Sequence, residues 1–505
     1  MSGAEAAAGV AGLVLALPGV IDLCIKYGNF LKEKIESYRK FDEVVKLEHF
    51  VTELVSGELN ILLGFFHSIH DQMTETIKNG VYQLFQVLRT ALENAINQFP
   101  KGRPTVGTKL AFSLSGRKRI SEAVEELETW HGRLVTRAMV VLFFGGSIAA
   151  GQKQITSNPA IARIVRIRGA FKDDQRRATL RLRTPDAKDI TSKVDQSEIW
   201  DLAQTRTLIE YRKYDPVTTS KQTAELEVNV RDLSARLNHV IASESGLLHC
   251  TGFSEDQAGH SFLMHFAYPE RKANPRSLQS LLTDPTNISV GIKHSQTDRI
   301  VLARRLTSAV LYLHSANFVH KNIRPSNILI FDEVPQDGDQ PSTYPNVVGD
   351  PYLVGFDDVR KADAKSNMVR VDEWQKNIYL HPDRHRMSAG DEFTMRHDLY
   401  SVGVVLLEIA LWGSFTDRSS RGIGRQLLES GGALRSPEAL KQRYIRLART
   451  LVPRSLGNLY SEVTVACLEG LKDEEQGGLL DDQDGIVVGE AYISQIMTKL
   501  DEIRL

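Results

Sequence analysis

The sequence predicts a multidomain chain, an all-α helical block followed by an α+β part in which short strands precede a larger helical lobe. Three observations carry this. At 505 residues the chain is too long for one ordinary hydrophobic core. Through residue 150 the apolar residues recur at helical spacing with few interruptions. From about 161 to 270 the texture changes to short β-prone runs, after which helical patterning returns.

Composition narrows the function classes. Lys+Arg 62 against Asp+Glu 63 leaves a formal charge of −1, so there is no global attraction to nucleic acid, and no nucleic-acid motif is present. Cys24, Cys250 and Cys467 are too scattered for a disulfide scaffold or a spaced zinc cluster. Three lone thiols suit a reducing compartment, and the cytoplasm is the expected location.

The helical block opens on an unbroken apolar run, Ala6 to Ile21. It is shorter than the ~20 residues that span a bilayer, and it lacks the basic start of a signal peptide. Such a run is a buried helix or one able to leave its core for a membrane. Gly12, Leu13, Leu15, Leu17, Pro18 and Ile21 are its candidate membrane-active residues, and Pro18 is expected to kink or break the helix. One stripe follows through Val44, Leu47, Val51, Leu54, Leu62, Phe65 and Ile69. The next runs through Ile77, Val81, Leu84, Leu88, Leu92 and Phe99, and a last one from Ile120 to Val141. The run is expected to pack against Leu62, Phe65 and Leu84. Short connections between the stripes predict an antiparallel bundle over 1–150, closed by Gly145 and Gly146, with a polar linker over 151–160.

The strand-rich lobe is expected over 161–270, with strands near 161–169, 178–184, 206–214, 245–253 and 261–269 and a helix over 223–243. The helical lobe occupies 271–505. A basic excess from Arg163 to Arg183 reads as solvated strand faces, with anionic lipid or phosphate as the alternative. The acidic stretch Glu469 to Asp484 reads as a solvated loop, and the Pro-containing segment Glu333 to Asp350 as a flexible insertion.

The most specific motif is His320-Lys-Asn-Ile-Arg-Pro-Ser-Asn327, between a helical stretch and an apolar strand, Ile328 to Phe331. It resembles the protein-kinase catalytic loop, with Asn327 five residues after the position of the catalytic base. Tyr352-Leu-Val-Gly-Phe-Asp357 resembles the strand entering the metal-binding Asp-Phe-Gly. Tyr379 to Asp383 looks like the end of an activation segment, and His397 to Ile409 like the core helix of the kinase large lobe. The resemblance implies a bilobal protein-kinase-like fold over roughly 160–505. It also implies structural roles for Pro325 and Gly403, and for Asp398 as acceptor of catalytic-loop amides.

The chemistry is missing from the same motifs. The base position is Asn322, whose neutral amide cannot take a proton; loss of a general base alone costs roughly 10²–10⁴-fold. Gly355 stands at the metal-binding carboxylate of the motif Gly355-Phe356-Asp357, and Asn327 is a poor magnesium site alone. Asp357 or Asp358 would serve only after a backbone shift. Glu210 falls near the phosphate-pairing Lys, a reversed charge, and the best phosphate-loop candidate, around Gly169, has a single glycine. Arg324 replaces the catalytic-loop Lys and either holds an anion or is solvated or structurally paired. Scaffold residues match while reactive ones do not, the pattern of a pseudokinase. No cofactor or metal is expected, and only metal-independent ATP binding is left open.

The first 150 residues resemble the HeLo and HeLo-like domains of fungal cell-death and heterokaryon-incompatibility proteins, through the small-residue-rich opening and the long helices after it. A HeLo-like bundle before a pseudokinase is also similar to the mixed-lineage kinase domain-like necroptosis effectors of animals. The resemblance implies a membrane-permeabilising bundle, self-associating and lipid-binding. A catalytically dead kinase-like domain would control it through an unknown protein partner, with recruitment to the plasma membrane on activation. The alternatives are a signalling scaffold that binds proteins through bundle and large lobe, and an atypical active kinase.

Overall fold

The computed structural model describes residues 18–33, 60, 62–67, 75–97, 180–185, 192–197, 199–202, 205–214, 220–240, 242–315, 318–334, 343–356, 360–361, 374–385, 393–419, 422–472, 488 and 491–503. The chain divides into two compact units, Met1–Val165 and Arg166–Leu505.

In the first unit three helices are described: α1 (18–33), α2 (62–67) and α3 (Glu75–Asn97). Pro18 is the first described residue of α1, so the kink expected there lies at the edge of the described residues. Gly12, Leu13, Leu15 and Leu17 lie outside the described residues. Ile21, Cys24 and Leu31 are fully buried, as are Leu62 and Phe66 of α2 and Phe85, Leu88 and Leu92 of α3. The Cys24 thiol donates to Phe85 O at 3.4 Å, and Phe66 meets Phe85 edge to face at 5.4 Å. Asn60 reaches Asn29 while His67 lies 3.8 Å from Asp22, so α2 runs antiparallel to α1. Leu84, expected inside, is half-buried; Val81, Phe85, Leu88 and Leu92 form the inner stripe. The register is thus shifted by one residue at Phe85, whose larger ring takes the core.

The second unit begins with an antiparallel five-stranded sheet of order β1-β2-β3-β5-β4. Its strands are β1 (Ser192–Lys193), β2 (Ile199–Leu202), β3 (Thr207–Lys213), β4 (Cys250–Asp256) and β5 (Ser261–Ala267). Between β3 and β4 the chain forms α4 (Ser220–Leu237), which packs on β4. Alternation along β3 sends Leu208, Glu210 and Arg212 to one face. Ile209 goes to the other, where it packs with Leu202 and Leu263. Of the expected strand near 178–184, the described residues 180–184 show a single bridge, Arg181 to Phe253. Arg181 pairs with Glu227 and Glu255, so this part of the basic excess is internally neutralised.

Next come β6 (Lys272–Ser277), α5 (Gln296–Ser315), β7 (Phe318–Val319), β8 (Ile328–Glu333), β9 (Asp350–Leu353) and β10 (Arg360–Lys361). β8 is central in the antiparallel sheet β6-β8-β9, and β7 pairs with β10. The expected flexible insertion is thus partly structured: β8 runs through Glu333, and Val348 beyond it is fully buried. The remaining long helices among the described residues are α6 (Met395–Leu411), α7 (Pro437–Thr450) and α8 (Val452–Glu469), the last interrupted by a kink at Gly457 with φ +86°. Every residue of α6 from His397 to Ala410 is buried, including the polar His397, Asp398, Ser401 and Glu408 among its apolar majority. A Cβ at Gly403 would stand 2.9 Å from Cys467 Cβ, so glycine there permits the close approach of α6 to α8. The architecture is thus α+β, with helices and antiparallel sheets in this unit. Among the described residues no helix is long and apolar enough to cross a membrane.

Candidate functional site

The segment His320–Asn327 leaves β7, makes a 3₁₀ turn at Pro325–Asn327 and enters β8. Pro325 is buried at the start of that turn, where its fixed φ suits the geometry. The segment is held from below by Asp398 in the first turn of α6. Asp398 Oδ2 accepts the His320 amide at 2.6 Å, and Oδ1 accepts the Lys321 amide at 2.8 Å. His314 Nε2 completes the set at 2.9 Å. Burial works to raise this carboxyl, but its hydrogen bond to His314 and the charges of His314 and His320 outweigh it and hold Asp398 below its ordinary value. A fully desolvated carboxylate with three donors is an anchor, and it orients the loop rather than reacting.

Above the loop, His320 Nε2 contacts Val354 O at 3.0 Å and the ring lies 5.3 Å from Phe356. Phe356 is fully buried and stacks on Phe266 of β5 at 5.9 Å. A continuous column therefore runs from the five-stranded sheet through Phe266, Phe356 and His320 to Asp398.

The reactive positions face each other in a different way. Glu210 is 2% exposed, and its Oε2 accepts the Gly355 amide at 3.0 Å. Gly355 has φ +87°, and a Cβ there would stand 2.3 Å from Asn327 Cγ. A side chain at 355 is therefore excluded twice, by backbone conformation and by volume. Asn327 is buried, its Nδ2 donating to Asn322 O at 2.7 Å. A magnesium site needs several hard oxygen ligands. Of the two expected ligand positions, one holds a glycine, which leaves the Asn327 Oδ1 as the single oxygen the described residues offer there, too few for the ion. Lys213, the nearest β3 lysine, is exposed at the end of the strand and paired in register with Ser261. Arg324 is half-buried, and its Nε has no hydrogen-bond partner. Asp357 and Asp358, and the best phosphate-loop candidate around Gly169, lie outside the described residues.

Sequence reasoning identified Asp398, Asn322, Asn327, Gly355 and Glu210, and the structure brings all five around one loop. It missed Phe266 and His314, whose partners are 90 and 84 residues away in sequence. No protein-family model matches this chain, and comparison with curated proteins finds no match.

Proposed function

We propose that this protein is a cell-death or incompatibility-type effector in which a membrane-perturbing helical unit is controlled by a catalytically inactive kinase-like unit. The observation that carries the inactive half is the bond from the Gly355 amide to buried Glu210 beside Asn327. An acidic side chain sits where a cation should meet phosphates, and the metal-ligand position has no room for a side chain. The region is then a recognition or switching element, biased by whatever binds it. The membrane half rests on the apolar run Ala6 to Ile21 and on its continuation into α1. A released segment of this kind would seek lipid or another copy of itself.

The test is dye release from anionic and zwitterionic liposomes by residues 1–165, the first compact unit. The expected result is leakage from anionic vesicles that falls at least ten-fold in the double variant Leu13→Asp, Leu17→Asp. Absence of leakage from both vesicle types retires the effector reading and favours the protein-binding scaffold.

A further inference from the structure

The five-stranded sheet meets the β6-β8-β9 sheet unevenly along its width. Towards β4, Leu247 bridges Leu353 and Phe266 stacks on Phe356. In the middle, Glu210 on β3 accepts the Gly355 amide. β1 and β2 form the opposite edge. There the turn over 194–197 reaches the short helix Leu278–Leu282 that follows β6. Asp195 Oδ2 accepts the Ser280 hydroxyl at 3.0 Å, and Gln196 Nε2 donates to Thr283 Oγ1 at 3.3 Å.

The turn is braced from within. Val194 N donates to Ile199 O at 2.8 Å, closing the hairpin. The buried Ser197 hydroxyl donates to Val194 O at 2.6 Å and accepts the Ile199 amide at 3.2 Å. Asp195 has φ +37°, a conformation that aspartate tolerates better than most residues. The facing helix offers matched groups. Thr283 spends its proton on Gln279 O at 2.8 Å, which leaves its lone pairs for Gln196. The Ser280 proton lies within reach of Asp195 and of Ser277 O at 2.8 Å, and the carboxylate is the stronger acceptor. Ile199, two residues beyond Ser197, stands opposite Glu210 in the β2–β3 register.

We propose that the turn over 194–197 is a latch that closes the β1–β2 edge onto the helix Leu278–Leu282. Its release lets that edge swing away and loosens the Glu210–Gly355 bond, Ile199 carrying the movement to Glu210. The edge towards β4 is the pivot, since Leu353 N donates to Gly246 O at 2.9 Å and the Phe266–Phe356 stack lies beside it. Both latch bonds are made by side chains at the surface, so water competes for them and a partner's polar group can replace either. Segments that move in a switch are drawn from such low-stability contacts. The latch gives physical form to the switching role proposed above; it rests on that reading for its use, though not for its existence.

Hydrogen exchange of the full chain, read by mass spectrometry on peptides covering 192–202, 278–283 and 350–356, tests the latch. Neither lipid nor nucleotide is present, so the outcome is independent of the liposome result. Ser280→Asp sets a second carboxylate against Asp195 and is expected to speed exchange in all three peptides by about five-fold. Ser280→Lys supplies a cation to the same carboxylate and should exchange at or below the parent rate. Asp195→Asn combined with Ser280→Asp reverses donor and acceptor and should return exchange towards the parent. Three results would each overturn the proposal: no acceleration at 350–356 in Ser280→Asp, equal acceleration in Ser280→Lys, or no return in the double variant. Should Ser280→Asp melt far below the parent, Gln196→Ala decides, since it leaves the helix untouched. Faster exchange at 350–356 in that variant supports the latch, and an unchanged rate overturns it.

Discussion

The main-chain amide of Gly355 donates to the buried carboxylate of Glu210 at 3.0 Å, tying β3 of one sheet to the segment that leaves β9 of the other. Glu210 is thereby a structural acceptor at a place where the kinase resemblance expects a phosphate-binding cation. Charge-assisted bonds of this kind contribute more than neutral ones, and breaking one strands a buried donor. Glu210→Ala is expected to lower unfolding stability by about 1–3 kcal/mol. Glu210→Gln, which keeps an acceptor, should lose less. Urea denaturation of the full chain measures both.

Restoring the consensus acid is expected to harm the fold without gaining chemistry. Gly355→Asp places a Cβ against Asn327 at a residue with φ +87°. Backbone strain and overpacking together cost about 2–4 kcal/mol. The same denaturation experiment should show this loss, and an assay of the variant with magnesium-ATP is expected to show no phosphotransfer.

Asp398 has the opposite character, since every oxygen is used. Asp398→Ala would leave the amides of His320 and Lys321 unpaired in a dry interior, with an expected loss of about 3–5 kcal/mol, as for breaking a buried charged pair. A fall in melting temperature with loss of signals from the His320–Asn327 segment is the expected readout.

Stability should fall in mild acid. Burial pushes His265, His294 and His381 down to about 4 and His397 down to about 3, and all four are under 9% exposed. Their folded values lie below the unfolded value near 6.5, so between pH 6.5 and 4 the unfolded chain takes up protons that the folded chain refuses. Glu408 acts in reverse. Burial raises it to about 8, so its contribution is present below pH 4.5 and fades as pH rises towards 8. Four imidazoles against one carboxyl leave three protons, or about 4 kcal/mol per pH unit near pH 5. Unfolding free energy measured from pH 7 to pH 5 should drop accordingly, and His265→Asn should flatten the slope.

What the sequence disclosed depended on the range of the interactions. Contiguous patterns were legible: strand β8 at Ile328 to Phe331 and the long helix α6 from its apolar run. Strand β2 was not read because Ile199–Leu202 is only four residues long, and β6 was obscured by Pro275. The inner stripe of α3 was misjudged by one position because spacing alone cannot rank Leu84 against Phe85. The Glu210–Gly355 bond joins residues 145 apart, and nothing local in either segment announces it.

The central claim is that Glu210, Gly355 and Asn327 leave no place for a metal-bound nucleotide. Calorimetric titration of the full chain with ATP and excess magnesium tests it most directly. The account predicts no magnesium-dependent heat up to millimolar nucleotide. Saturable binding that requires magnesium, weakened by Asn327→Ala and accompanied by phosphate transfer, would contradict it.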